Sequence, residues 1–360
     1  MAEPRDPIAD LKRIAFLLEA MQEPGYRVRA FRSAASALAG LAPAEVAERA
    51  AIGRLRELTG IGEVTERTIL ESLRGEEPVY LRRLESTEGT PLAQGAAELR
   101  AALKGDLHSH TEASDGHFPI REMAEAAISL GHDYLVVTDH SPRLTIANGL
   151  STERLFAQLE EITALNVELA PFRLLTGIEV DINEDGSLDQ APEVLSRLDV
   201  VVGSIHSALR MEAAPMTRRM VTALANPNLD VLGHCTGRMK RTRRNRPEST
   251  FDADVVFAAA KHFDKAIEIN CLPDRLDPPK RLLRLAVESG CRVSIDSDAH
   301  YVGQLAWVRV GCERAFLCGV TPTMIVNALE ADALLAWTAS HEAPERRAGA
   351  QPASASSGLS

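Results

Sequence analysis

Along the first stretch of the chain apolar side chains recur every three to four positions. Ile8, Leu11, Ile14, Leu18 and Met21 share one helical face, and the Ala-rich run from Val28 to Leu41 repeats the pattern. Pro43 stands where a third helix can begin, and Leu55 to Gly62 followed by Glu63 to Leu73 reads as helix, tight glycine turn, helix. After Lys104 the rhythm changes to short apolar runs alternating with amphipathic stretches. Strands are predicted at 105–109, 134–138, 173–180, 199–205, 229–233, 266–270 and 292–296, with helices at 119–131, 152–168, 214–225, 252–263 and 279–290. This is the βαβα order of a parallel sheet, and seven strands suit a TIM-type barrel short by one unit.

Composition narrows the class. A chain of 360 residues with 45% hydrophobic positions can bury an enzyme core and carry a small second domain. The expected division is a helical domain at 1–80, a connector at 81–104, a barrel at 105–338 and a disordered Ala/Ser/Pro/Gly-rich tail at 339–360. Five cysteines without a CxxC pair suggest neither a disulfide framework nor a thiolate zinc site, which fits a reducing cytoplasm. No run is long and apolar enough to span a membrane, and no signal peptide is evident. A formal charge of −11 argues against indiscriminate coating of nucleic acid, so any DNA contact must be local. Arg238 to Arg246, with six basic residues in nine positions, is the strongest local exception.

The chemistry lies in the histidines. Six of the ten stand at or just beyond the C-terminal ends of predicted strands, where a β/α barrel gathers its active site. His108 and His110 leave one face of a strand at i, i+2 spacing, and Asp115 follows in a Ser-Asp-Gly loop. The next strands end at His140, Glu179, His206 and His234, and the last at Asp298 and His300. A lone HxH pair is more often surface or core than ligand. Nine imidazoles and carboxylates on one rim are different, because they repel or go unsatisfied without cations. Nitrogen and oxygen donors without thiolate suit zinc, manganese or iron. Arg238, four residues after His234, is a candidate phosphate clamp, and Asp139 a candidate for orienting a ligand histidine.

Asp106-Leu-His-Ser-His-Thr with Ser114-Asp-Gly116, Thr138-Asp-His140, Gly177-Ile-Glu179, His206, Gly233-His234 and Asp298-Ala-His300 resembles the polymerase-and-histidinol-phosphatase (PHP) family over roughly residues 105–310. The resemblance implies an α/β fold, a distorted seven-stranded TIM-like barrel, and three divalent metal ions. One would take His108, His110, Glu179 and Asp298. The second would share Glu179 and add His206 and His234, and the third would take Asp115, His140 and His300. Catalytic roles then fall to Glu179, Asp298 and Arg238.

Gly233-His-Cys-Thr-Gly-Arg238, Glu268-Ile-Asn270, Pro273, Arg275-Leu-Asp277 and Ile295–His300 are similar to the PHP domain of bacterial family X DNA polymerases, with Cys235 in place of their usual proline. Phe31-Arg-Ser-Ala-Ala with Leu58-Thr-Gly-Ile-Gly62 resembles their small all-α DNA-end-binding domain with its helix-hairpin-helix. There Gly60 and Gly62 let backbone amides approach a phosphate. Between the two parts only a short connector is found, with no room for a polymerase palm. Lys12 is the only lysine before Lys104, which argues against Schiff-base lyase chemistry.

Three functions remain open. The first is a 3′–5′ exonuclease or 3′-phosphatase holding DNA ends through the hairpin and through Arg238, Arg241, Arg243 and Arg244. The second is a phosphatase for a small phosphomonoester, and the third a non-catalytic DNA-binding module.

Overall fold

The computed structural model describes residues 5–88, 92–241 and 244–341, which divide into two compact units. Gly89 to Pro91 of the expected connector, Arg243 of the basic run and the tail from residue 342 onward lie outside the described residues.

The first unit is helical: α1 Pro7–Ala20, α2 Gly25–Ala39, α3 Pro43–Ala51, α4 Glu63–Leu73 and α5 Val79–Glu88, joined by Val302–Trp307 from later in the chain. Asp6 caps α1 by accepting from the Ile8 amide at 2.8 Å, and Pro7 and Pro43 occupy first-turn positions where a missing N–H costs nothing. Leu11, Ile14, Leu18, Phe31, Leu38, Leu55 and Ile69 are buried among them. The predicted hairpin differs in its first half. Leu55–Glu57 forms only a 3-10 turn before Gly60, whose φ of +97° reverses the chain and whose Cα lies so close to Ser33 that a Cβ would sit 3.1 Å from the Ser33 Cβ.

In the second unit α6 Gln94–Ala102 precedes the barrel. Its strands are β1 Gly105–Asp106, β2 Tyr134–Val137, β3 Arg173–Asp181, β4 Val200–Ser204, β5 Val231–Leu232, then a separate hairpin of β6 Met239–Arg241 and β7 Arg244–Arg246, then β8 Ala266–Asn270 and β9 Arg292–Asp296. Seven of them form one parallel sheet in the order β1-β2-β3-β4-β5-β8-β9, and a bridge from Ser109 to Ala299 brings the last strand's end to the first, nearly closing a distorted barrel. Helices α7 Ile120–Ser129, α8 Thr152–Glu168, α9 Pro192–Leu195, α10 Ala213–Leu224, α11 Ala253–His262 and α12 Lys280–Glu288 occupy the crossovers, followed by α13 Val308–Leu317 and α14 Ala331–Ala339. Strands β2 and β4 are buried at every position, which is why they read as continuous apolar runs rather than alternating ones.

β1 is shorter than its apolar pattern predicts because side chains take its amides. Leu107 N donates to Asp296, His108 N to Asp106 and Ser109 N to Thr138 Oγ1, so the chain leaves the ladder just where its histidines begin. The β6–β7 hairpin falls within the basic run and had no apolar alternation to announce it. All five cysteines are buried and unpaired, and no helix among the described residues is long and apolar enough to cross a membrane.

His132, ahead of β2, is 4% exposed and neither ring nitrogen has a hydrogen-bond partner. Burial, with Arg100 nearby, pushes its imidazole down to about 3. Above the unfolded value near 6.5 both states are neutral; as pH falls from there towards 3 only the unfolded chain takes the proton, and stability is lost. Between pH 7.5 and 5 His132→Phe should therefore gain about 2 kcal/mol relative to wild type in urea unfolding. Parallel pH profiles for the two proteins would rule this out.

Candidate metal centre

Nine side chains from the C-terminal ends of the barrel strands meet at one rim, with Glu179 at their centre. Its Oε2 lies 3.4 Å from His108 Nε2, 3.6 Å from His110 Nε2 and 2.8 Å from His140 Nδ1. Its Oε1 lies 2.8 Å from His234 Nε2 and 3.4 Å from His206 Nε2. Asp298 Oδ1 faces His110 Nε2 at 3.3 Å and His108 Nε2 at 3.9 Å. Asp115 reaches His110 Nδ1 at 3.8 Å, His140 Nε2 at 3.5 Å and His300 Nε2 at 3.5 Å.

The donor atoms form three overlapping groups: His108, His110 and Glu179; His140, Glu179 and His206; and His110, Asp115, His140 and His300. His110 and His140 each turn one ring nitrogen to Glu179 and the other to Asp115, a sharing that spacing alone did not suggest. Asp298 has φ of +55°, a left-handed conformation that Asp tolerates better than most residues, and its amide donates to the His108 carbonyl at 3.0 Å.

Several rings are aimed from behind. Glu268 Oε1 lies 2.6 Å from His108 Nδ1, Asp181 Oδ1 2.6 Å from His206 Nδ1, and the Asp298 carbonyl 2.9 Å from His300 Nδ1. With Nδ1–H donating, each ring presents Nε2 to the rim. Asp181 was missed from the sequence, although it follows Glu179 at the same i, i+2 spacing that singles out His108 and His110. Asp139 holds no histidine. It accepts from the Thr111 amide and hydroxyl, the Ser114 hydroxyl and the Gln158 amide, and so secures the loop that carries Asp115.

Arg238 is also placed differently from the expected clamp. It is 7% exposed, and its guanidinium donates to the carbonyls of Arg275 and Leu276 and faces Glu248, so its fork is spent on the β8–α12 loop. Arg314 grips the same loop at the Leu276 and Pro278 carbonyls. The arginine they hold in place is Arg275. Its Nε lies 3.3 Å from Asp298 Oδ2, and its Nε and Nη1 are buried without hydrogen-bond partners. Gly60 and Gly62 lie in the first unit, and Arg241 and Arg244 in the backbone of β6 and β7.

Charge at the rim is strongly coupled. Burial opposes ionisation of Glu179, but His140, His108 and His206 outweigh it and hold the carboxyl well below the usual range. Asp298 is lowered in the same way, chiefly by His108. Burial likewise opposes charge on His140, which Glu179 and Asp115 nonetheless raise to about 10. His110 goes the other way, down to about 4, through burial and the neighbouring His300 and His140. Buried nitrogens of His108, His110, His206 and His234 are without hydrogen-bond partners. Unpartnered imidazole nitrogens around ionised carboxylates are the donor set a divalent cation takes, and a cation there competes with protons.

Residues 106–271 match the model of the PHP domain. The chain is 42% identical over 213 residues to the Bacillus subtilis DNA polymerase/3′-5′ exonuclease PolX, a match that takes in 59% of this chain but only 37% of that protein. It is 30% identical over 218 residues to a probable phosphatase of Caldanaerobacter subterraneus, covering 58% of this chain and 79% of the relative. This chain belongs to the PHP-domain family. As a PHP-domain protein it is a phosphoric ester hydrolase. A crystal structure of histidinol phosphate phosphatase from Lactococcus lactis, complexed with zinc, L-histidinol and phosphate, aligns with TM-score 0.44 and 17% identity over 61% of this chain and 94% of that one. The matched PHP segment contains His108 through His234, whereas Asp298 and His300 follow it in the chain.

Proposed function

We propose that this PHP-domain protein hydrolyses phosphate esters at the 3′ ends of DNA, as a 3′–5′ exonuclease or 3′-phosphatase, using divalent cations held by the nine rim residues. The observation that carries the reading is Glu179, with each carboxylate oxygen within 3.4 Å of a different set of imidazole nitrogens, a placement suited to sharing between two ions. His108, His110 and Asp298 complete one such set, His206 and His234 the second, and Asp115, His140 and His300 a third. Divalent cations in such a set polarise phosphoryl oxygens and acidify water.

The chain's own groups supply the rest. Glu268 and Asp181 keep the imidazoles aimed. Arg275 is placed to donate to a phosphoryl oxygen entering beside Asp298. Asp115 and His300, with side chains 34% and 25% exposed, leave the third group accessible from solvent, and an ester enters there.

Action on DNA is supported by the likeness to a protein named as a 3′-5′ exonuclease and by the Gly60–Gly62 turn opening onto the N-terminus of α4. The basic run from Arg238 to Arg246, following His234, adds a local positive field, with Arg241, Arg243 and Arg244 as its candidate phosphate contacts. A small phosphomonoester is the second reading, favoured by relatives named probable phosphatases over most of their length and by the acidic net charge.

The experiment is a side-by-side assay with Mn²⁺ or Zn²⁺ on a 3′-labelled oligonucleotide, a 3′-phosphorylated oligonucleotide and a small phosphomonoester. Turnover should be greater on one of the DNA substrates. Replacing Arg241, Arg243 and Arg244 together by Ala should weaken oligonucleotide binding and flatten its log K against log salt slope by about 0.7 for each phosphate no longer neutralised. Turnover confined to the small ester would favour the second reading.

A further inference from the structure

Phe, Trp and Tyr make up only 4% of the chain, yet Phe118 and Tyr301 gather with His117 beside residues of the most exposed ligand group. His117 and Tyr301 stack with centroids 4.0 Å apart and planes 22° from parallel, and Phe118 meets Tyr301 edge-on at 6.2 Å. His117 is exposed and Tyr301 half-buried. Their distance from the rim is set by the chain, because His117 comes two residues after Asp115 and Tyr301 directly follows His300.

The stack is anchored. The His117 amide donates to the His300 carbonyl at 2.9 Å, and the Glu112 amide to the Phe118 carbonyl at 2.9 Å, closing the loop on itself. At Gly116 a Cβ would lie 2.6 Å from the His110 carbonyl, so the loop packs backbone to backbone against the strand end that carries His110. A flat, partly exposed π surface on residues adjoining Asp115 and His300 in the chain is suited to receive a nucleobase, since every base offers a π face and no hydrogen-bond code is needed.

We propose that the His117–Tyr301 stack is a base-stacking platform that makes nucleoside phosphoesters better substrates than aliphatic ones. The proposal rests on the phosphoester reading above and adds the residues that would hold the base. The test compares kcat/KM for thymidine 3′-monophosphate and glycerol 2-phosphate, read as their ratio. In His117→Ala and Tyr301→Leu the ratio should fall about tenfold, the size of one base stack, and His117→Phe and Tyr301→Phe should restore it.

A ratio that does not move, or one that the Phe variants fail to restore, overturns the platform. If the wild-type protein turned over neither ester, action on phosphomonoesters would fail instead, and the 3′–5′ exonuclease reading, which concerns a phosphodiester, would stand. The platform is then judged by calorimetric titration of thymidine 3′-monophosphate with Ca²⁺ present. About tenfold weaker binding in His117→Ala supports it, and unchanged or undetectable binding overturns it.

Discussion

Glu179→Ala should cut phosphoester turnover by more than about a hundredfold and lower the bound metal below the two to three equivalents of Zn, Mn or Fe expected of the wild type. Removing a residue one layer behind a metal ligand already costs about 10- to 100-fold in metal affinity or activity. Glu179 stands in front of that layer and faces five imidazole nitrogens with its two oxygens, so its removal strips charge from all of them at once. Glu268→Gln gives the graded comparison. It keeps the size of the side chain that meets His108 Nδ1 at 2.6 Å but weakens the acceptor, so its effect should fall within that smaller range. Elemental analysis of reconstituted protein together with steady-state rates checks both variants. Full activity in Glu179→Ala would remove the shared-carboxylate site, and less than one equivalent of metal in the wild type would remove the metal reading altogether.

Arg275→Ala should lower kcat/KM by about 10²- to 10³-fold while metal content holds, the loss typical of one fixed donor to a developing oxyanion. Arg275→Lys should recover only part of this, because an ammonium is a point charge without the planar fork. Arg238→Ala should act differently. Its side chain meets the Arg275 and Leu276 carbonyls, so its loss frees the loop that carries Arg275 and should reduce thermal stability as well as rate. If Arg275→Ala retained wild-type kcat/KM while Arg238→Ala lost rate at unchanged melting temperature, the phosphate contact would belong to Arg238 after all.

The strand and helix order was legible because buried parallel strands leave continuous apolar runs and amphipathic helices leave a 3.6-residue period. Those two signals located all seven barrel strands. The positions of His108, His110, Glu179 and Asp298 were legible for the same reason, since a residue at a strand's C-terminal end in this fold points to one rim whatever its neighbours.

What surrounds them was decided by side chains meeting across long sequence separations. Nothing local distinguishes Asp181, behind His206, from Asp139, which ties down a loop. Asp181 closes β3 and Asp139 lies just past β2, and only the crossing of neighbouring strands determines which acceptor meets which donor. Arg238 and Arg275 show the same limit. Both are arginines beside the rim in sequence, but a guanidinium has five donors and a long stem, and its partners are set by which carbonyls the packed β8–α12 loop presents. The short ladder of β1 belongs here in part, because Asp296 and Thr138 claim the amides of Leu107 and Ser109 only once β1, β2 and β9 lie together, whereas Asp106 takes the His108 amide locally. Periodicity records which face of an element is buried. It carries no record of what that face will touch, and hydrogen-bond partners are chosen by proximity in the folded chain.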